Sequence, residues 1–152
     1  MKLSEALSLR SDLQKRILSL REQLRESVRV QEGDVPAVSP VDLFGELDVS
    51  LIEFESLIYR INATNMRPLS DGVTLTSLIA KRDVLALRVS SLREVLKHSM
   101  ERVERYSHQE IRQVCTIDVV SLRREVDRYS RLLRELDLRI QGLNWSVELI
   151  EV

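Results

Sequence analysis

Between Val119 and Leu143 the apolar side chains fall at Val119, Leu122, Val126, Tyr129, Leu133, Leu136, Ile140 and Leu143. The steps alternate between three and four residues, with Arg, Glu and Asp filling most of the gaps. An α-helix packed lengthwise against another helix needs that spacing, because it keeps one stripe turned towards its partner for roughly 37 Å at 1.5 Å per residue. The same rhythm recurs at Leu3, Ala6, Arg10, Leu13, Ile17, Leu20 and Leu24, which predicts a first helix from about Leu3 to Ser27. A second helix is expected from Ser39 as N-cap, with Pro40 in its first position and Asp42 in its first turn. Its expected seam is Leu47, Leu51, Phe54, Ile58 and Ile61, and it should end near Asn65, ahead of Pro68.

Ser70-Asp71-Gly72 is turn chemistry. Helix 3 should start near Thr74 or Thr76 and carry Leu78, Arg82, Leu85, Val89, Leu92 and Leu96 towards Val103. Helix 4 should run from an N-cap at Asp118 to a C′ glycine at Gly142. Short connections make antiparallel neighbours the default, so the expected fold is all-α: one antiparallel bundle of four long helices in a single domain, 1–152. Val28–Gln31 and Glu110–Ile117 read as strand-like text in the 1–2 and 3–4 loops, and up-down-up-down order places those loops at one end. A small two-stranded β-ribbon is expected there.

Composition sharpens this picture. The chain has 152 residues, 43% of them apolar and 31% charged, with 4 Gly and 3 Pro, which suits a helical globular protein. Net charge is −1, so no global field recruits nucleic acid. Charge is nevertheless segregated: residues 33–67 hold six acids against two Arg, and residues 74–105 hold seven bases against four acids. One cysteine excludes an intramolecular disulfide and fits a reducing compartment. Met1-Lys2-Leu3-Ser4-Glu5 meets charge before an apolar run can grow, and no stretch approaches the roughly 18 uncharged apolar residues of a membrane span. The expected location is the cytoplasm.

Candidate chemistry is sparse. Arg10 and Arg82 interrupt apolar seams, and an antiparallel register brings Glu55, Asp83, Asn62 and Asn65 to similar depth, with Glu135 and Asp137 contributed by helix 4. These residues would make either a polar ligand pocket or a buried layer that fixes register, and the second is preferred because a buried charge must be paired in any case. His98 and Glu101 lie three apart, with Glu104 and His108 beyond. A single such pair, in reversed order, falls short of the sets that metal-binding bundles use, so no metal and no cofactor is expected. Cys115 reads as a small buried residue. Asn62-Ala63-Thr64 matches a glycosylation acceptor that has no meaning in a cytoplasmic bacterial protein. Six Arg on helix 4 alternate with Glu125, Asp127, Glu135 and Asp137, and aromatic residues are few, so a nucleic-acid role is not expected.

Beyond Gly142, Trp145, Val147 and Leu149 alternate with polar residues and read as a short extended hook, folding back on its own bundle or clamping a neighbouring subunit. Leu7, Leu9, Ile52, Leu57, Leu132 and Leu138 flank the main seams. That widened apolar surface predicts a homo-oligomer.

Several phrases also carry a family likeness: Leu13-Gln14-Lys15-Arg16, Val30-Gln31-Glu32-Gly33-Asp34, Arg60-Ile61-Asn62-Ala63-Thr64-Asn65, Leu75-Thr76, Arg82-Asp83-Val84-Leu85, Arg105-Tyr106-Ser107 with Glu110-Ile111, Thr116-Ile117-Asp118-Val119 and Asn144-Trp145. In that order they resemble the septicolysin-like family of bacterial helical proteins. The resemblance implies a helical fold, supplies no catalytic residues, and suggests a membrane-active, toxin-like protein as one function. The residues themselves favour a non-catalytic, oligomeric scaffold or protein-interaction protein, with a ligand- or metal-binding bundle as a further alternative.

Overall fold

The computed structural model describes residues 1–101, 111 and 113–151. Four long helices dominate: α1 (Leu3–Ser27), α2 (Pro40–Asn65), α3 (Leu75–Met100) and α4 (Val119–Ser146). The described residues include no strand, so the expected ribbon is not observed among them: Val28–Gln31 is irregular, and of the second segment Glu110 and Arg112 lie outside the described residues while the rest forms no ladder. Compactness divides the chain into two units, Met1–Thr74 with Gly142–Val152, and Leu75–Gln141.

In the first unit α1 and α2 run antiparallel. Leu20 and Leu24 near the end of α1 share a core cluster with Leu43 near the start of α2, and Leu47 packs against it. One turn further along, Arg16 Nη2 meets Glu46 Oε2 at 3.4 Å. Leu3, Ala6, Leu13, Leu20 and Leu24 are the buried residues of α1, so its expected seam holds except at Arg10, which is exposed. A long arginine can follow an apolar stripe with its stem and keep its head in water.

The buried face of α2 differs from expectation. Leu43, Ser50, Leu57, Ile61 and Thr64 are buried and Leu47 and Phe54 half-buried, whereas Leu51 is exposed. Leu57, expected beside the seam, is therefore part of it. Two polar residues fit this face because each hydroxyl is satisfied within its own helix: Ser50 Oγ donates to the Glu46 carbonyl (2.8 Å) and Thr64 Oγ1 to that of Arg60 (2.7 Å). Each fully buried Leu contributes about 1.5–3 kcal/mol, so the face that carries Leu43 and Leu57 inward is strongly preferred.

In the second unit α3 and α4 also run antiparallel, since Arg88 reaches Tyr129 while Met100, further along α3, meets Arg123, earlier on α4. Their expected seams hold: Leu78, Val89, Val126 and Ile140 are buried, and Leu85, Leu92, Leu96, Leu122, Leu133 and Leu136 are half-buried.

Helix starts follow local chemistry. Asp118 caps α4, its Oδ1 accepting the amides of Val120 (3.0 Å) and Ser121 (3.2 Å). Ser39 occupies the N-cap position of α2 before Pro40, but its hydroxyl makes no capping bond. Gly142 does not end α4, which continues to Ser146. The glycines with positive φ are Gly33 and Gly72, both in loops, where L-residues would be strained.

Candidate interaction surface

Between α3 and α4 the second unit holds an open groove of about 510 Å³. Each helix turns four residues towards it at offsets i, i+3, i+4 and i+7: Lys81, Val84, Leu85 and Arg88 from α3, and Leu132, Glu135, Leu136 and Arg139 from α4. That spacing puts all four on one side of a helix. Tyr129 closes one end, its hydroxyl accepting a hydrogen bond from Arg88 Nη1 at 2.9 Å. The guanidinium carbons of Arg88 and Arg128 lie 4.9 Å and 4.5 Å from the Tyr129 ring centroid, so cation–π attraction also holds the ring in place. Glu135 accepts from Arg131 Nε at 2.9 Å.

The lining combines apolar residues with three cations and one acid. Val84 is 64% exposed and Leu132 43%, and on the same helices Leu87 and Leu138 are exposed as well. A sequence reading centred on Arg82 overlooked this set, although its signal was available: the same four offsets recur on both helices.

A second apolar stripe lies on α2. Val41, Phe44, Leu51, Ile52 and Tyr59 are exposed along the side facing away from the buried residues, with Asp48 and Glu55 among them. With Leu43, Leu47, Phe54, Leu57 and Ile61 on the packed side, α2 is therefore apolar on two faces.

The expected polar layer takes a different form. Arg82 pairs with its own neighbour, Nη2 to Asp83 Oδ1 at 2.7 Å and Nε to the same oxygen at 3.0 Å, and both side chains keep contact with water. Arg10, Glu55 and Asn62 are exposed and Asn65 is half-buried. Helical rotation explains the outcome, since these residues stand beside the faces that pack.

The C-terminal tail is hydrogen-bonded to both α1 and α2 of the first unit. The Leu3 amide donates to the Val147 carbonyl and the Leu149 amide to that of Met1, both at 2.9 Å, and Lys2 and Glu148 form an antiparallel bridge. On the α2 side, Arg60 Nε donates to the Ile150 carbonyl (2.9 Å), and Thr64 Oγ1 accepts the Ile150 amide (3.1 Å). Leu149 is buried and Val147 half-buried, so the tail from Val147 folds back on its own unit, whereas Trp145, expected on the hook, lies in the last turn of α4 and is 70% exposed. Polar bonds to backbone atoms have no periodic signature, and sequence reasoning missed Arg60 and Thr64.

Cys115 is exposed rather than buried, its thiol donating to the Ile117 carbonyl at 3.5 Å. His98 Nδ1 lies 3.1 Å from Glu101 Oε2, and both line a shallow hollow with Cys115. Glu104 and His108 lie outside the described residues. Among the described residues no group of three or more His, Cys, Asp or Glu is placed to hold a metal ion, and no helix is long and apolar enough to cross a membrane.

Residues 10–149 match a family described as Family of unknown function (DUF6847). No curated protein matches the chain. It is similar to a functionally unknown conserved protein from Corynebacterium diphtheriae, known from a crystal structure: 36% identity, 99% of each chain covered, TM-score 0.86.

Proposed function

The chain belongs to that family of unknown function, and we propose that it acts as a non-catalytic helical scaffold working through homo-oligomeric contacts. One observation carries the reading: α3 and α4 leave an ordered apolar groove open between them, with Val84 and Leu132 in its lining and Leu87 and Leu138 on the same helices all exposed. Groups of exposed apolar residues rimmed by charge characterise association surfaces. The Arg-rich edges suit protein contact, because guanidinium stems cover apolar area while their heads pair with carboxylates.

Sedimentation equilibrium at micromolar concentration tests this reading. A mass at a multiple of 17.6 kDa is expected, and a single 17.6 kDa species would end it. The resemblance to septicolysin-like proteins supports a competing membrane-active reading. Its polar helix faces, however, mix both charge signs, unlike the cationic faces of interfacial helices. Consistent dye leakage from neutral and anionic vesicles at sub-micromolar protein would replace the scaffold by that alternative.

A further inference from the structure

Two surfaces of this chain are both apolar and opposite in charge. The α3–α4 groove is lined by Val84, Leu85 and Leu132 together with Lys81, Arg88 and Arg139; with Glu135, its charged lining sums to three positive against one negative. The outward side of α2 is a ridge of Phe44, Leu51 and Tyr59 with Asp48 and Glu55 between them, two negative charges and no positive one along that run. The wider helices share this asymmetry. α2 has five acids against Arg60, and α3 has five bases against two acids.

We propose that the outward ridge of α2 from a second copy of this chain docks in the α3–α4 groove. The inference deepens the scaffold reading and rests on it. An amphipathic helix enters a groove through anchors spaced at i, i+3, i+4 and i+7, and Phe44, Asp48, Leu51 and Glu55 run at steps of four, three and four residues. Seated there, Phe44 and Leu51 cover Val84 and Leu132, while Asp48 and Glu55 meet Lys81 and Arg88. Like charges in the opposite arrangement repel, so the pairing also excludes α2 against α2 and groove against groove. Each chain carries one ridge and one groove. Each contact therefore joins unlike surfaces of two copies and can repeat from copy to copy.

A charge-swap experiment on the full chain tests this. The first variant is Asp48→Lys with Glu55→Lys, the second Lys81→Glu with Arg88→Glu. All four positions are exposed, and circular dichroism verifies that each variant folds. Each variant alone should self-associate at least ten-fold more weakly than the unmodified chain by sedimentation. Mixed in equal amounts, they should associate with near-original affinity, because the ridge of each variant again meets a groove of opposite sign on the other. If the chain self-associates and both variants do so equally well, the scaffold reading survives and this docking mode fails. Weakened variants that do not recover on mixing also overturn it. A monomeric unmodified chain removes both.

Discussion

Thr64 and Ile150 are joined by a side chain acting as a strand would: the buried Thr64 hydroxyl accepts the Ile150 amide at 3.1 Å while donating to the Arg60 carbonyl at 2.7 Å. Arg60 Nε takes up the Ile150 carbonyl at 2.9 Å, so one residue of the tail has both backbone groups satisfied by one turn of α2. With Leu3 and Met1 bonded to Val147 and Leu149, the tail ties the start of α1 to the end of α2.

Replacing Thr64 by Val keeps the shape and removes both bonds. A lost buried hydrogen bond costs about 1–3 kcal/mol, and at roughly 2–4 °C per kcal/mol for a chain of this size the melting temperature should fall accordingly. Thr64→Ser, which retains the hydroxyl, should fall less. Equal melting curves for Thr64→Val and the unmodified protein would show that the clasp contributes nothing.

Leu57 and Leu51 are the same residue type on one helix, yet Leu57 is 4% exposed and Leu51 44%. Leu57→Ala should cost about 2–5 kcal/mol by opening a cavity between α1 and α2. Leu51→Ala should cost less than about 1 kcal/mol in folding, since little area returns to water, and should weaken self-association instead. Chemical denaturation of both variants, read beside their sedimentation, separates the two roles. An equal folding cost would contradict the burial assignment.

Two helix starts make opposite predictions from one rule. Asp118→Ala should destabilise by about 0.5–2 kcal/mol, because two amides of α4 lose their acceptor. Ser39→Ala should be close to neutral, because the Ser39 hydroxyl caps nothing and Pro40 has no amide to satisfy. Urea midpoints for the two variants provide the comparison, and a larger loss at Ser39 would count against the cap geometry.

Arg82→Met is expected to shift stability by less than about 1 kcal/mol, the range of exposed ion pairs, because Arg82 pairs with its adjacent Asp83 and both side chains reach water. A deeply buried layer would have demanded several times that. A melting temperature lowered by more than about 5 °C would restore the buried-layer reading.

Glu148 has its carboxyl held below the usual carboxylate range, first by the hydrogen bond to the Lys2 side chain; partial burial opposes this as the next effect, and the hydrogen bond to the Met1 ammonium and the charges of both groups add to the lowering. A depressed pKa in the folded chain stabilises above the unfolded carboxylate value, and this contribution is lost as pH falls through the folded one. Glu148→Gln should therefore melt slightly lower than the unmodified protein at pH 7, with the gap closing towards pH 3. The pair is exposed, so the gap is small. A gap that widens in acid would reverse the assignment.

Helix content and the inward stripes of α3 and α4 were readable from spacing alone, because on α4 the eight apolar residues from Val119 to Leu143 keep one unbroken three-and-four rhythm, while Leu132 and Leu138 fall outside it. On α2 spacing allows two answers. Leu43, Leu47, Phe54, Leu57 and Ile61 mark one apolar side, and Val41, Phe44, Leu51, Ile52 and Tyr59 mark another. Packing against α1 chose the side that includes Ser50 and Thr64, whose hydroxyls bond to carbonyls one turn back and so enter the interior at little cost. Likewise, alternation of Val147 and Leu149 announces an extended tail, while its attachment to Thr64 and Arg60 depends on backbone groups meeting side chains about ninety positions away. Periodicity records which side chains avoid water. Which of two dry faces meets its partner, and where a polar atom finds its complement, is decided only when distant segments come together.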